Sequence, residues 1–246
     1  YTGRSPLEAL SIGVPMKDTD IAIRCNLVTL SEEDVPYEQK SILDHSSSEI
    51  TTKEATTLIN AVKEELENQT YQFYVGTSYR HLTIWKNGQV VELVAPHDIL
   101  GKRIGHFLPG EGAIGLREMM ERSYEILNHH PINEERKKRG LNKANSLWFW
   151  GAGTKPNLTS FYEKFHVQGS MISAVDLLKG IAVGAHMSVV TVEGADGTLH
   201  TNYEGKARAA LKELLENKKD FVYIHVEAPD EMGHQGNMAH KIEAIE

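Results

Sequence analysis

The fold of this 246-residue chain is decided by one stretch near its carboxyl end, Phe221-Val-Tyr-Ile-His-Val-Glu-Ala-Pro-Asp-Glu-Met-Gly-His-Gln-Gly236. The first six residues are mostly apolar, β-branched or aromatic, which is typical of a buried parallel strand. Pro229 ends the strand, because proline has no N–H to donate to a neighbouring strand. Asp230 and His234 follow at the carboxyl end of the strand, where open α/β sheets carry their functional side chains.

Asp230 and His234 are four residues apart. On a helix this spacing places a carboxylate and an imidazole on one side of a turn, and both groups are ligands of divalent metal ions. A different interpretation is that Asp230 caps the following helix and that His234 lies at the surface. The spacing alone leaves both interpretations open.

Strands and helices alternate upstream of this stretch. Strand-like runs begin at residues 146, 169 and 187, and helical patterns cover 175–183 and 203–217. This alternation predicts parallel βαβ units with right-handed crossovers, in a sheet that is covered on both faces.

The middle of the chain has a different pattern. Thr51 and Glu54 have the spacing of a capping box, and the apolar residues that follow predict a helix to about Glu67. A second amphipathic helix is predicted over 114–128. Helices of this kind beside antiparallel strands indicate an inserted α+β domain.

The antiparallel strands are predicted from a turn signal. Asn87-Gly88 suits the two positive φ angles of a type I′ turn. The runs 79–85 and 89–94 on either side of it are therefore predicted to form a β-hairpin. Arg80 and His81 are neighbours on its first strand, so they project to opposite faces and only one of them can face a cleft.

A further strand is predicted over 21–30. Arg24 and Asn26 lie on the same face of it, because side chains alternate along a strand. A polar pair on an otherwise apolar strand either borders solvent or points into a site.

The composition excludes some classes of function. The net charge of −8 argues against a nucleic-acid or an anionic-membrane partner, although a local group of basic residues can still bind a small anion. No apolar run approaches the ~20 residues that span a bilayer. Cys25 is the single cysteine, so no internal disulfide is possible and a cytoplasmic, reducing location is expected.

The segment Val226-Glu-Ala-Pro-Asp-Glu-Met-Gly-His-Gln-Gly236 resembles the metal-binding segment of the cofactor-independent phosphoglycerate mutases, archaeal-type branch, in the alkaline phosphatase superfamily. The resemblance covers essentially the whole chain. It continues through Tyr1-Thr-Gly-Arg-Ser-Pro-Leu-Glu8, Arg24-Cys-Asn-Leu-Val-Thr29, Asn202-Tyr-Glu-Gly-Lys206 and Lys241-Ile-Glu-Ala-Ile-Glu246.

The resemblance implies a fold and a division of the chain. The fold class is α/β, with a mostly parallel, doubly wound sheet in an alkaline phosphatase-like core and an inserted α+β domain. We expect residues 1–43 and 144–246 to form the core and 44–143 to form the inserted, substrate-binding domain. The chain starts without Met and stops within an amphipathic helical pattern, so we expect it to be truncated at both ends.

The resemblance also implies an activity: the interconversion of 3-phosphoglycerate and 2-phosphoglycerate through a phosphoserine, with two divalent metal ions (Mn, Mg or Zn). Asp230 and His234 match two ligands of one metal. The serine nucleophile is expected upstream of Tyr1, and no segment here matches the remaining ligands. We therefore expect these 246 residues to be inactive and metal-free by themselves.

Seven residues are candidates for contact with a phosphorylated three-carbon acid substrate. Arginine suits this substrate, because its planar fork binds carboxylate and phosphate through two hydrogen bonds. For Lys179 a solvated position on a helix is an equal alternative. The candidates are Arg24, Asn26, Asp44, His45, Arg80, His81 and Lys179.

Two other functions stay open at this point. One is a metal-dependent phosphatase or phosphotransferase that acts on another phosphorylated metabolite. The other is a non-catalytic binding protein of the same fold. The sequence does not distinguish the native metal or the oligomeric state.

Overall fold

The computed structural model of the protein describes residues 3–234 and 236–246, and the side chain of His234 lies outside that description. The chain forms two compact units. The first consists of Tyr1–Ala9 and Val14–Lys155, and the second consists of Leu10–Gly13 and Pro156–Glu246. No helix within the described ranges has the length and apolar character needed to cross a membrane.

The helices and strands follow one another along the chain in this order. As far as Lys155 they are α1 (Ser5–Ser11), β1 (Ile21–Leu30), β2 (Ile42–Asp44), α2 (Thr52–Leu66), β3 (Tyr71–Thr77), β4 (Arg80–Trp85), α3 (Ile114–Leu127), α4 (Pro131–Lys138) and β5 (Ser146–Thr154). Beyond it they are α5 (Phe161–Phe165), β6 (Gly169–Ile172), α6 (Asp176–Gly184), β7 (Ser188–Val189), α7 (Tyr203–Leu215), β8 (Phe221–Ile224), α8 (Ala228–His234) and α9 (Met238–Ile245).

The first unit is built on an antiparallel sheet in which β1 is the central strand. β1 pairs with β4, with β5 and, at its carboxyl end, with β2, and all ten of its residues are buried. The amphipathic helices α2 and α3 supply the apolar residues that cover the sheet and form the main core. Both helices were predicted, and the Thr51 side chain accepts the N–H of Glu54 as the capping box requires.

The predicted hairpin about Asn87-Gly88 is wrong. β4 pairs with β3 on one edge and with β1 on the other, so residues 89–94 have no edge of β4 to join. Asn87 takes a positive φ of 48°, but Gly88 does not, and a type I′ turn needs both. The hairpin that does form is β3–β4, which turns at 78–79.

The boundary of the parallel region also differs from the prediction. β5 was expected to begin it, but β5 runs antiparallel to β1, with Phe149 opposite Cys25. The two compact units divide after Lys155. The assignment of 44–143 as an inserted substrate-binding domain stays a prediction.

The second unit contains the predicted parallel sheet, in the order β7-β6-β8. The connection through α6 leads from β6 to one side, and the connection through α7 leads to β8 on the other side. With right-handed crossovers, this order places α6 and α7 on opposite faces of the sheet. The strand order therefore reverses at β6, which is the position where sheets of this type bind ligands.

The prediction that residues 221–226 are buried is wrong for the described structure. Phe221 and Tyr223 are 40% exposed and Ile224 is 42% exposed, whereas every residue of β6 is buried. Within the described strands, β8 pairs with β6 and lies at the edge of the sheet. An apolar run shows that a strand is suited to burial, but it does not show which strand occupies the centre.

Candidate functional site

Arg24 is a buried cation in the first unit. Its side chain is 8% exposed, and its Nε lies 3.3 Å from Glu8 Oε2. The geometry of that ion pair is not that of a hydrogen bond, so the buried Nε has no hydrogen-bond acceptor among the described residues. The guanidinium carbon lies 4.6 Å from the centre of the Trp150 ring, which is the cross-strand neighbour of Arg24 on β5.

Asn26 connects this cation to neighbouring groups. Its Oδ1 accepts a hydrogen bond from Trp150 Nε1 at 3.1 Å, and its Nδ2 donates to the carbonyl of His45 at 3.4 Å. Arg80 is opposite Asn26 on β4, and its guanidinium carbon lies 5.4 Å from the centre of the Tyr79 ring. Each of the two arginines therefore lies against an aromatic ring.

The aromatic rings form a continuous set of edge-to-face contacts. The ring centres of His45 and Tyr79 are 5.7 Å apart, those of His45 and His97 are 6.1 Å apart, and those of His97 and Trp150 are 5.3 Å apart. We call the whole group the arginine–aromatic cluster. Its members are Arg24, Asn26, His45, Tyr79, Arg80, His97 and Trp150.

The cluster is positively charged, although the chain carries a net charge of −8. Burial lowers the pKa of Arg24, Glu8 raises it, and the charges of Arg4 and Arg80 lower it further. An arginine stays protonated in spite of such effects. Three guanidinium groups, those of Arg4, Arg24 and Arg80, and one carboxylate, that of Glu8, therefore interact here, so positive charge is in excess.

Asp44 lies beside His45, but its carboxylate accepts hydrogen bonds from neighbouring backbone and side-chain groups. Oδ1 accepts hydrogen bonds from the N–H and the hydroxyl of Ser46, and Oδ2 accepts from the N–H of Ser48 and from Asn142 Nδ2. These bonds hold a turn in which residues 47, 48 and 49 have φ angles of 50°, 54° and 47°, a conformation that costs free energy outside glycine. Asp44 therefore holds the backbone that presents His45.

Replacing Asp44 by asparagine is expected to make stability less dependent on pH. Burial by itself would raise the pKa of Asp44, but the hydrogen bonds outweigh it and lower the pKa from 3.8 to about 2. The charged form therefore stabilises the folded state fully above pH 3.8, and this contribution is lost as the pH falls towards 2. The urea midpoint of Asp44→Asn should lie below that of the wild type at about pH 7, and the gap should narrow at about pH 2.5.

The control for this prediction is Asp34→Asn, which removes an exposed carboxylate of the same unit. Its midpoint should follow that of the wild type at both pH values. A gap for Asp44→Asn that stays constant with pH would contradict the assigned role.

The structure places His81 apart from the cluster. His81 is 4% exposed, lies opposite Cys25 and accepts the N–H of Gly76 at Nδ1. Burial lowers its pKa to about 3, so the imidazole is neutral. Arg80 and His81 do project to opposite faces, and Arg80 is the one that joins the cluster.

The second unit holds the other candidate residues. Lys179 lies on α6, is 31% exposed and pairs with Asp176 Oδ1 at 3.4 Å. Asp230 is an exposed residue in the first turn of α8, and its N–H donates to the carbonyl of Glu227. His234 ends the same helix, but its side chain lies outside the described residues.

Glu227 and Asp230 carry carboxylates that could donate to a divalent metal ion. In the described ranges, no group of three or more His, Cys, Asp or Glu side chains is arranged to hold a metal. Asp230 offers a carboxylate, and Glu227 has a buried Oε1 with no described hydrogen-bond partner, while burial raises the pKa of Glu227. These oxygens are suitable donors for a divalent ion, but they are fewer than the ion's coordination number requires.

Sequence reasoning missed Tyr79, His97 and Trp150. No local pattern indicates them, because each becomes part of the cluster through strand pairing or through a loop. The useful signal was the aromatic run 148–150, which lies opposite 24–26 once the register of β1 and β5 is known.

Two family models match the chain. The model described as 2,3-bisphosphoglycerate-independent phosphoglycerate mutase matches residues 1–133, and the model described as the metalloenzyme superfamily matches residues 76–246. Together they confirm the resemblance and the alkaline phosphatase-like α/β fold class predicted from the sequence.

Individual proteins give the same result. The chain is 49% identical to a Geobacter sulfurreducens protein named "probable 2,3-bisphosphoglycerate-independent phosphoglycerate mutase", with 100% of this chain and 61% of the relative covered. It is 47% identical to the 2,3-bisphosphoglycerate-independent phosphoglycerate mutase of Methanosarcina barkeri, with 100% and 60% covered. The solved structure of the cofactor-independent phosphoglycerate mutase from Thermoplasma acidophilum matches with a TM-score of 0.58 at 25% identity, with 100% and 66% covered.

The chain thus spans about 60% of the length of the curated relatives it matches. A family model covers more than half of its residues, and the resemblance to these relatives extends over all of them. The chain therefore belongs to the family of 2,3-bisphosphoglycerate-independent phosphoglycerate mutases, within the metalloenzyme superfamily.

Proposed function

We propose that the full-length protein interconverts 3-phosphoglycerate and 2-phosphoglycerate, and that the arginine–aromatic cluster binds this phosphorylated three-carbon acid. The observation that carries the proposal is Arg24, a buried guanidinium fixed against Trp150 with an Nε that lacks an acceptor among the described residues. The family to which the chain belongs supports the proposed reaction. The charge and the planar donors of the cluster support a phosphorylated acid as the substrate.

The cluster suits a substrate with two anionic groups. Arg24 and Arg80 each offer a planar fork of N–H donors, which matches both carboxylate and phosphate. Arg24 is buried against the Trp150 ring before a ligand arrives, so less conformational entropy of this side chain is lost on binding. Asn26 and His45 add polar groups beside them.

The proposed metal chemistry belongs to the full-length protein. Two divalent ions, of the Mn, Mg or Zn type, would neutralise phosphoryl oxygens and lower the pKa of a serine nucleophile when bound. Asp230 and His234 are the proposed ligands from this chain. Lys179 is a proposed substrate contact, and like Asp230 it follows the carboxyl end of a parallel strand. The serine and a cytoplasmic location are parts of the same proposal.

The test uses the full-length protein with 3-phosphoglycerate and follows 2-phosphoglycerate through coupling to enolase. We expect turnover with Mn²⁺, loss of turnover with a chelator and recovery when the metal is returned. Hydrolysis of phosphoesters without formation of 2-phosphoglycerate would replace this proposal with a phosphatase. Binding of 3-phosphoglycerate without any turnover would replace it with a non-catalytic binding protein.

A further inference from the structure

Lys206 is a buried lysine with no role in the site described so far. It lies on α7 and is 1% exposed, and its Nζ donates a hydrogen bond to the carbonyl of His225 at 3.0 Å. Burying an ammonium group is costly unless acceptors or opposite charges compensate it. A lysine in this position therefore indicates a specific requirement for its charge or its hydrogen bond.

Lys206 interacts electrostatically with two carboxylates, those of Asp196 and Glu227, and Glu227 lies two residues after the carbonyl to which Lys206 donates. Glu227 Oε1 lies 3.9 Å from His225 Nε2 and has no hydrogen-bond partner in the described part of the chain. On its other side lies Gly197, in the loop after β7. A Cβ at position 197 would come within 2.5 Å of Glu227 Oε2, so the carboxylate packs closely against Gly197 and leaves no room for a side chain there.

His225 and Glu227 form the link between β8 and α8. The N–H of His225 donates to the carbonyl of Ile172 on β6, which fixes the start of the link to the sheet. The carbonyl of Glu227 accepts the N–H groups of Asp230 and Glu231, which fixes its end to the first turn of α8. Lys206 on α7 donates its hydrogen bond to the link between these two anchors.

We propose that Lys206 is a positioning residue, which holds the His225 carbonyl and balances the Glu227 carboxylate so that the β8–α8 link presents Asp230 to a divalent cation. The metal part of this inference rests on the proposed function, in which Asp230 is a ligand. The conformational part depends on the described contacts alone, and so the two parts are measured separately.

The first experiment compares Lys206→Met with Lys212→Met in the full-length protein. Lys212 is an exposed lysine on the same helix, so the control removes the same charge without touching the link. In the metal-free protein, the amides of Asp230 and Glu231 should exchange hydrogen at least about ten-fold faster in Lys206→Met than in the control. In Mn²⁺ titrations, Lys206→Met should raise Kd by about 10- to 100-fold.

A second variant keeps the test decisive if Lys206→Met does not fold. Gly197→Ala leaves every charge in place but forces the Glu227 carboxylate to move, so it should change exchange at the same amides and weaken Mn²⁺ binding in the same direction. Unchanged exchange in both variants overturns the inference. Faster exchange with an unchanged Kd for Mn²⁺ leaves Lys206 with a purely structural role and also overturns it.

Failure of the proposed function gives a different result. A wild-type protein without mutase activity whose Lys206→Met variant still shows the exchange and Mn²⁺ effects would remove the mutase and keep the positioning role. An active wild-type enzyme whose Lys206→Met variant has normal exchange and normal Mn²⁺ affinity would keep the mutase function and remove the positioning role of Lys206. A wild-type protein that binds no Mn²⁺ counts against the inference.

Discussion

Replacing Arg24 by lysine is expected to lower kcat/KM of the full-length protein by about 100-fold or more, a loss of ~2.7 kcal/mol of transition-state stabilisation. Lysine keeps the positive charge but loses the planar fork and the contact with the Trp150 ring at 4.6 Å. The effect therefore measures geometry rather than charge. The enolase-coupled assay supplies kcat and KM, and the tryptophan fluorescence spectrum checks that the first unit is folded.

Arg122 provides the matched control for this substitution. It is exposed on α3, outside the cluster, so Arg122→Lys should leave kcat/KM within about two-fold of the wild type. If Arg24→Lys also stays within that range, Arg24 does not bind the substrate through its guanidinium and the cluster loses its central member.

The largest effect on stability is expected at Arg136. This residue of α4 is 1% exposed, and it donates hydrogen bonds to Glu54 Oε2 at 2.8 Å, to the carbonyl of Asn142 at 3.0 Å and to the carbonyl of Ser47. Arg136→Met removes three hydrogen bonds of a buried cation, including the one to the buried carbonyl of Ser47, and leaves Glu54 paired with Arg139 alone among these two arginines. The loss of a buried charge with its hydrogen bonds costs about 3 kcal/mol in the free energy of unfolding.

Arg139 offers an unusually close comparison, because it lies just after the same helix and pairs with the same carboxylate, through Glu54 Oε1. Its side chain is 47% exposed, so solvent can replace the lost contact. Arg139→Met should therefore cost less than about 1 kcal/mol. Urea titrations followed by tryptophan fluorescence measure the free energy of unfolding of the first unit for both variants. All three tryptophans lie in that unit: Trp85, Trp148 and Trp150. Equal losses for the two variants would show that burial is not the source of the effect.

The local elements of this protein could be predicted well from its sequence. α2 and α3 repeat their apolar residues at helical spacing over about four turns, and the parallel strands alternate with α6 and α7. These signals depend on neighbouring residues, which the sequence states directly. Asp230 lies in the first turn of α8, after β8, and its role stays a prediction.

Strand pairing could not be predicted in the same way. The bond between Trp150 and Asn26 joins residues 124 positions apart, and β4 finds its partners in β1 and β3 rather than across its own following turn. The turn signal at Asn87-Gly88 depends only on neighbouring residues. It carries no information about the pairing of β4 with β1 and β3, which occupies both edges of that strand.

The same limit applies to the candidate site. Arg24, Asn26, His45 and Arg80 lie in one cluster, but His81 belongs to the core and Asp44 supports the backbone. Alternation along a strand shows that Arg80 and His81 project to opposite faces of the sheet. Which of the two joins the cluster depends on the register of β4 against β1. The roles of all these residues in binding stay predictions.

β1 has a consequence for how this protein can evolve. Arg24 and Asn26 belong to the cluster, while Cys25 between them and Ile23 before them are part of the core. Inserting or deleting one residue there would exchange the two sets of side chains and damage both at once. If the cluster binds the substrate as proposed, changes in substrate preference are expected more readily in the short segment Pro96–Ile99, which carries His97 and belongs to no strand.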